Sequence, residues 1–407
     1  MAASAQPERS EGLVIGLVGF AHLLSHFYQI ALGPLFPLLR AEFDVSYTAL
    51  GLIVTVFFGT SGVCQAFVGI LVDRHGADRL LLFGVVAMST SIFLMGLAPS
   101  YWVFLPLAVT AALGNSVFHP ADLSILSAKV DPRRMGRAYA IHGFAGTSGY
   151  FLSPVVIFYG VVSFAGWRVG LMTAGVIGWF AAILLYKYRA VLRMPAGSVD
   201  SSGAMPGMAF YLRLITSLPL IAAFCYFALI SGALIGMQNF SATVLVEIYN
   251  APLYLATAGL TAYLGASAAG NLAGGEVADR LQRHAVIATT GLGLSAICMG
   301  AIAFLPLSVP VIIVLFGGVG FCGGATHASR DILVRAAAPA GATGKVFGFV
   351  YSGLDLGGAL APLLFGWLMD SGEYRGVFIA MTAMYLICIA SVLQLKQGRA
   401  QIPAEAD

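Results

Sequence analysis

Polar side chains able to carry protons or bind a ligand occur at helical intervals inside two apolar segments. His22, His26 and Gln29 follow the spacing i, i+4, i+7, which places them on one face of a helix. Because histidine titrates near neutral pH, such a face predicts proton transfer or polar ligand binding. The same spacing recurs in a later segment, at Asn115, His119 and Asp122.

The second half of the chain carries a related cluster that includes a guanidinium group. His327, Arg330 and Asp331 fall within one turn, and Tyr351 and Asp355 are i and i+4. Since a guanidinium can grip a carboxylate or phosphonate with two hydrogen bonds, Arg330 is predicted to attract an anionic solute or to act in gating. Static ion pairs are the alternatives: Arg330 with Asp331 or Asp355, Asp331 with Arg335, and Asp122 with Lys129 or Arg133.

The sequence leaves open which group carries the proton. His22, His26 and His119 are favoured, and Asp355 is a rival because it lies about 15 Å along its helix from the basic loop, near mid-membrane. Packing roles for the histidines are the alternative. The depth of the cluster fits both a substrate site and a cytoplasmic gate. Further candidates for the same polar cavity are His142, Gln238 and Asn239.

A duplication organises these residues. His119 aligns with His327, Gly149 with Gly357 and Pro154 with Pro362, and both copies run from a polar cluster through a short basic loop into a Gly-rich apolar segment. The same alignment sets Asp122 against Arg330, so the two halves present opposite charges at equivalent depths. Pro120, beside His119, is predicted to bend its helix.

Composition indicates an integral membrane protein, because 59% of the 407 residues are hydrophobic and 10% are charged. We predict an all-α membrane protein with twelve transmembrane helices in two pseudo-symmetric six-helix bundles. The cysteines lie in apolar runs at scattered spacings that suggest neither a disulfide framework nor a zinc motif. The predicted segments are a cytoplasmic tail (1–11), a six-helix bundle (12–188), a cytoplasmic linker (189–213), a second six-helix bundle (214–395) and a cytoplasmic tail (396–407).

The positions of lysine and arginine predict the orientation. With a cytoplasmic N-terminus, all of them lie on the inner side except Arg40, Arg168, Arg375 and Arg330. This bias follows the positive-inside rule, so both termini and the linker are expected in the cytoplasm.

A short motif, Gly-x-x-x-Asp-Arg, closes the second and eighth predicted spans. We expect the glycine to allow close helix contact and the aspartate to accept hydrogen bonds or pair with an arginine. Its occurrence at matching points of the two halves predicts a gating loop. The residues assigned to it are Gly69, Asp73, Arg74, Gly76 and Arg79, then Gly275, Asp279 and Arg280.

The loop Gly69–Arg79 and the twelve predicted spans resemble the major facilitator superfamily. Within it, AHLLSHF in the first span, SVFHP in the fourth and GPLFPLLRAEF, from Gly33 to Phe43, are similar to the fosmidomycin-resistance group of bacterial transporters. The resemblance implies alternating access, in which two bundles rock about a cavity lined mainly by spans 1, 4, 7 and 10. It also favours export by antiport.

The favoured function is therefore proton-coupled transport of a small, anionic organic solute or drug across the inner membrane, with uptake by symport as an alternative. A transition-metal or metal-chelate transporter is another, since His22, His26, His119 and Asp122 offer nitrogen and oxygen donors. A receptor or scaffold is disfavoured by the short loops. No motif of an enzyme or cofactor site appears. The expected partners are a small-molecule substrate, protons and the lipid bilayer, without nucleic acid, and the chain is expected to be a monomer.

Overall fold

Helices make up the regular structure of the described part of the chain. The computed structural model describes residues 5–193, 216–337 and 343–398. The predicted linker lies outside them from residue 194 onward, as do residues 1–4 and 399–407 of the predicted tails. Inside hydrocarbon a helix satisfies its own backbone hydrogen bonds, which is why long apolar runs fold this way.

The first half of the chain contains nine α-helices in its described residues. One of them, α1, begins at Ala5, inside the predicted tail. The helices are α1 (Ala5–Gln29), α2 (Phe36–Phe43), α3 (Tyr47–His75), α4 (Ala77–Gly96), α5 (Phe104–Asn115), α6 (Phe118–Lys129), α7 (Met135–Ser153), α8 (Ser163–Lys187) and α9 (Arg189–Leu192). Short 3₁₀ turns cover Gly33–Leu35, Tyr101–Val103 and Pro132–Arg134, and a π-helix covers Pro154–Val162.

The second half is built in the same way within its described residues. Its helices are α10 (Leu218–Tyr249), α11 (Leu253–Leu281), α12 (His284–Phe304), α13 (Val309–Ala325), α14 (His327–Ala337), α15 (Thr343–Asp370) and α16 (Tyr374–Gly398).

Ten segments in the described residues are long and apolar enough to cross a membrane. One of them, Pro132–Lys187, has 56 residues and holds both α7 and α8, so it supplies two crossings. The 29-residue helix α11 is not among the ten, but it is long enough to cross. These helices account for the twelve predicted crossings.

The chain separates into two compact units. Unit 1 is Met1–Val45 with Val56–Gly203, and unit 2 is Ser46–Thr55 with Ala204–Asp407. In unit 2 the first turn of α3 is capped by the carboxylate of Asp370, which accepts hydrogen bonds from the backbone N–H groups of Tyr47 at 2.7 Å and Thr48 at 2.9 Å. A carboxylate at a helix N-terminus satisfies orphan donors and complements the helix dipole.

The fourth predicted span of each half is interrupted just before or within its polar cluster. In the first half α5 and α6 are separated at Ser116 and Val117, as expected from Pro120, which has no N–H to donate to the Ser116 carbonyl. In the second half α13 and α14 are separated at Thr326, where the backbone N–H and the hydroxyl both donate to the Gly323 carbonyl, at 3.1 and 2.7 Å. Both halves therefore interrupt this span near its polar cluster, the first through a proline and the second through a threonine.

An equivalent glycine in each half brings two helices into backbone contact. A Cβ on Gly149 of α7 would overlap the Leu23 carbonyl oxygen of α1, and a Cβ on Gly357 of α15 would overlap the Ala228 carbonyl oxygen of α10. These two glycines are equivalent in the repeat. The absence of a side chain therefore fixes how closely α1 lies against α7, which sets the geometry of the site.

Candidate functional site

One buried carboxylate joins three helices of unit 1. Asp122 on α6 has no exposed surface, and its Oδ2 accepts a hydrogen bond from Nε2 of His142 on α7 at 3.0 Å. His22 on α1 lies with Nδ1 3.2 Å from the same oxygen, close enough for a charge contact although its direction does not make a hydrogen bond. His22 and His142 are themselves only 3% and 8% exposed. The predicted faces of α1 and α6 therefore meet.

Two further histidines extend this cluster toward less buried positions. The rings of His22 and His142 are stacked, with centroids 3.7 Å apart and planes 20° from parallel. The ring of His26 lies 4.5 Å from that of His22, and the ring of His119 lies 5.1 Å from it. His26 is half-buried and His119 is exposed. Since two imidazolium charges at the stacking distance would repel strongly, the stack favours at least one neutral ring.

The notion that Asp122 pairs with Lys129 or Arg133 is wrong for this structure. The carboxylate faces the histidines of α1 and α7 instead, and its Oδ1 has no hydrogen-bond partner among the described residues. A buried carboxylate without a permanent cation is stabilised when a neighbouring imidazole carries a proton. A proton held by the cluster would therefore balance its buried negative charge.

A neutral network lies beside the histidines. Gln29 donates from Nε2 to Asn115 Oδ1 at 2.9 Å, and Asn115 donates from Nδ2 to the hydroxyl of Ser61 at 2.9 Å. Tyr150 donates its hydroxyl to Gln29 Oε1 at 2.7 Å, and its ring lies 4.4 Å from that of His26. Gln29 and Asn115 therefore bond to each other, to Ser61 and to Tyr150, although the helical spacing places both amides on the same helix faces as the histidines.

The sequence reasoning missed two members of this network. Tyr150 lies two helical turns beyond His142 on α7, a spacing that could have identified it. Ser61 on α3 carries no comparable signal.

Gly146 makes room for the histidine stack. A Cβ at this position would lie 2.8 Å from Cδ2 and Nε2 of His22 and 3.3 Å from Cε1 of His26. Together with Gly149, it lets α7 approach α1 so closely that imidazoles from both helices reach one carboxylate. The Gly-rich character of the fifth predicted span therefore serves the geometry of the cluster.

Unit 2 holds the guanidinium. Arg330 on α14 donates from Nε to Oδ1 of its neighbour Asp331 at 2.8 Å, so the predicted static pair with Asp331 is present. The guanidinium carbon lies 4.6 Å from the ring centroid of Phe227 on α10, and that ring lies 4.8 Å from the ring of Tyr351 on α15. A cation over an aromatic face gains a further attraction. The sequence reasoning did not find Phe227.

The other candidates in unit 2 occupy separate positions. His327 begins α14, half-buried. Asp355 on α15 is half-buried and has no hydrogen bond or ion pair within the described ranges. Gln238 and Asn239 are each 1% exposed. Asn239 donates from Nδ2 to the Ile235 carbonyl at 3.0 Å, while both polar atoms of the Gln238 amide lack a partner in the described part of unit 2.

The loop motif after α3 is organised by the predicted Gly76 and by Asp78, which was not among the predicted residues. Gly76 ends the helix with φ of 87°, a left-handed conformation that favours glycine. The buried acid of the loop is Asp78, whose Oδ2 lies 2.9 Å from Nε of Arg189 at the start of α9. Arg74 and Arg79 are exposed, and the side chain of Asp73 lies outside what the structure describes.

The expectation that Gly69 and Gly275 permit close helix contact is wrong. Among the described residues, nothing lies within 4 Å of the position a Cβ would take at either glycine. In the second loop Arg280 pairs with Glu276, one helical turn earlier, at 2.6 Å rather than with Asp279, and all three side chains are exposed. The close contact belongs instead to Gly274, where a Cβ would overlap the Ala325 carbonyl oxygen.

Within the described residues, three side chains could hold a metal ion. One donor atom from each of His22, Asp122 and His142 lies within 4.8 Å of the others. His26 and His119, which the sequence also suggested as ligands, are not part of this set.

Comparison with known proteins supports a transport fold. Fosmidomycin resistance protein of Escherichia coli is 29% identical over 304 residues, which cover 72% of this chain and 72% of that protein. Cis,cis-muconate transport protein of Acinetobacter baylyi is 24% identical over 366 residues, 86% of each chain.

Solved structures agree at the level of the fold. Nucleoside transporter NupG has a TM-score of 0.78 at 11% identity, over 95% of this chain and 99% of that one. A bacterial homologue of the human lysosomal transporter Spinster, inward-facing and occupied, has a TM-score of 0.74 at 16% identity, over 96% and 95%.

A sequence model of the Major Facilitator Superfamily matches residues 18–258 and 224–405. The resemblance drawn from the loop and span motifs is thereby confirmed, with the fosmidomycin-resistance group among the relatives. The chain belongs to the Major Facilitator Superfamily, and is a multi-pass membrane transporter rather than an enzyme.

Proposed function

We propose that the protein is a proton-coupled secondary transporter for a small anionic organic solute, working by alternating access in a bacterial inner membrane with both termini in the cytoplasm. Export by antiport is the favoured direction, and uptake by symport is the alternative. The observation that carries the proposal is the complete burial of Asp122 against two imidazoles inside a membrane bundle.

The proton part of the proposal follows from the cost of buried charge. A carboxylate inside a membrane protein is expensive unless a cation or proton neutralises it. In the described structure the ionisable partners of Asp122 are His22 and His142, which gain charge only by binding a proton. Protonation thus takes the group from a net negative charge to neutrality. A transporter can couple that change to a conformational step.

A path for the proton is also supported by the burial pattern. His119 is exposed and His26 half-buried, and both rings lie near that of His22. The exposed imidazole can exchange protons with water and pass them inward. The adjoining network of Gln29, Asn115 and Tyr150 offers neutral hydrogen-bonding groups for a polar solute.

The anionic character of the solute is inferred from Arg330. Its charge is balanced in unit 2 by the adjacent Asp331, which is the more exposed of the two side chains. An incoming carboxylate or phosphonate can replace that neighbour as the counter-charge, with the bidentate geometry that arginine favours. The names of two relatives mention fosmidomycin and cis,cis-muconate, so both compounds belong in a substrate panel.

Transport by the purified protein in sealed vesicles tests the proposal. A proton gradient should drive radiolabelled solutes from a panel of organic acids, phosphonates and metal chelates to uneven concentrations. Asp122→Asn should abolish uphill accumulation yet retain exchange of labelled for unlabelled solute across the membrane. Asp355→Asn is the matched control, because Asp355 is the rival proton carrier. If Asp355→Asn uncoupled transport and Asp122→Asn did not, Asp355 on α15 would be the proton carrier in place of Asp122.

A further inference from the structure

We propose that His22, Asp122 and His142 form a binding site for one divalent transition-metal ion in unit 1. The site takes one donor from each of α1, α6 and α7: Nδ1 of His22, Oδ2 of Asp122 and Nε2 of His142. It differs from the set suggested by the sequence, because His142 takes the place of His26 and His119. Metal binding goes beyond the transport proposal and does not depend on it, although a metal ion and a transported proton would compete for the same three side chains.

The spacing of the donors fits a tetrahedral ion. Zinc–nitrogen and zinc–oxygen bonds of about 2.1 Å at tetrahedral angles place neighbouring ligand atoms about 3.4 Å apart. The two nitrogens lie 3.2 and 3.0 Å from Asp122 Oδ2, and all three donors are within 4.8 Å of one another. The two nitrogen–oxygen distances are therefore within a few tenths of an ångström of the value for a tetrahedral ion.

Unsatisfied polar atoms point to the same place. Nδ1 of His22 and Oδ1 of Asp122 are both buried without a hydrogen-bond partner among the described residues. Native proteins seldom leave such atoms unpaired, because each one loses its hydration and gains nothing in return. A metal ion bound by Nδ1 of His22 would satisfy that nitrogen, and a carboxylate that binds the ion through both oxygens would satisfy Oδ1 of Asp122 as well.

The donor chemistry selects the class of ion. Two imidazole nitrogens and one carboxylate oxygen suit Zn²⁺, Co²⁺ or Ni²⁺, whereas Mg²⁺ and Ca²⁺ prefer oxygen ligands. No cysteine sulfur is among the three donors, which disfavours Cu⁺. Three protein ligands leave a fourth position for water. The ring of His119, which other residues leave exposed, lies beside that of His22.

Gly146 holds one ligand in place without being a donor. Because a Cβ at Gly146 would lie 2.8 Å from the His22 ring, Gly146→Ala should push that ring away from Asp122. This variant changes the position of a ligand and keeps all three donors. Mutation of the hydrogen-bonding partners that orient metal ligands typically lowers metal affinity about 10- to 100-fold, and displacement of a ligand ring should lie near the lower end of that range.

Direct metal binding by the full chain tests the site. The protein is purified in detergent, freed of any histidine tag and metal, and titrated with Co²⁺, whose visible absorption reports tetrahedral coordination, and then with Zn²⁺ in competition. We expect one strong Co²⁺ site per chain, displaced by Zn²⁺. Asp122→Asn and His142→Gln should each weaken binding by about 100-fold or more, and Gly146→Ala by about tenfold. His75→Ala, which removes an exposed histidine at the end of α3, should bind as the native chain does.

Each result bears on the proposal. The site would be excluded by unchanged Co²⁺ affinity in both Asp122→Asn and His142→Gln, or by loss of binding in His75→Ala. A melting temperature measured without metal identifies any variant that has not folded. If one of the two ligand variants has not folded, His22→Gln is tested in its place. Since no solute and no proton gradient are used, failure here leaves the transport proposal standing, and failure of transport leaves this test intact.

Discussion

Replacing Gly149 by alanine tests whether close packing of α1 against α7 supports the site. The new methyl group would overlap the Leu23 carbonyl oxygen and lie 3.0 Å from the Leu23 carbonyl carbon and 3.1 Å from the Phe27 nitrogen. All of these are backbone atoms of α1, so no rotamer change can relieve the overlap. The two helices have to separate.

The size of the effect can be worked out from two opposing contributions. Overpacking a tight interface costs about 1–3 kcal/mol, and contact with backbone places this case near the upper end. Alanine in place of glycine inside a helix returns about 1 kcal/mol. The net loss of stability should therefore be about 2 kcal/mol. Gly143→Ala is the matched control on the same helix, because nothing among the described residues lies within 4 Å of its Cβ position.

Thermal unfolding in detergent measures the difference. Gly149→Ala should unfold several degrees below the native protein, and Gly143→Ala at or slightly above it. Separation of the helices should also draw His22 away from His142, so proton-driven accumulation should fall in the first variant and persist in the second. Equal melting temperatures for the two variants would refute the packing described for α1 and α7.

Three further outcomes are expected. Arg330→Lys keeps the positive charge but loses the planar guanidinium group that can donate two parallel hydrogen bonds. The KM for an anionic solute should therefore rise about tenfold, with less change in maximal rate, as measured from initial rates over a range of concentrations. An unchanged KM in both Arg330→Lys and Arg330→Ala would contradict the role of Arg330. Asp78→Ala removes the carboxylate that Arg189 contacts. Because Arg189 reaches solvent, the loss of folding stability should be about 1 kcal/mol, measured as a lower melting temperature. The control Asp279→Ala, which removes an exposed carboxylate, should not lower the melting temperature. Asp370→Ala removes the cap on the first turn of α3 and should cost about 1 kcal/mol by the same measurement, while an unchanged melting temperature would show that the cap contributes nothing.

Much of the fold could be predicted because membrane helices are long apolar runs with few alternatives. The repeat that aligns His119 with His327 also predicted that both halves would share one plan, and the interruptions near Pro120 and Thr326 follow it. Where a helix begins was less certain. At Ala5 the sequence is polar, so hydropathy alone placed the residue in a tail.

The candidate site could be predicted only in part. Helical spacing placed His22 and Asp122 on polar faces, but the hydrogen bond between Asp122 and His142 depends on how α6 turns into α7 through a short basic loop. No periodicity within one helix contains that information. Ser61 on α3 was missed for the same reason, since a lone serine in an apolar helix is usually bonded to its own backbone.

Short motifs were the least informative about contacts. Gly69 and Gly275 sit in open space in the described structure, although a glycine at a helix end suggested close approach. The residue types of a motif do not specify which helix packs against it. Asp78, one residue before Arg79, carried the buried charge instead, and only its partner in α9 distinguishes it from an ordinary surface acid.

Solute-driven proton movement measures the central proposal most directly. Vesicles containing the purified protein and a trapped pH-sensitive dye are exposed to a transported solute without any imposed gradient. The native protein should change the internal pH as the solute crosses, whereas Asp122→Asn should exchange solute with no change in internal pH. A pH change of native size in Asp122→Asn would contradict the assignment of the proton to the cluster of Asp122, His22 and His142.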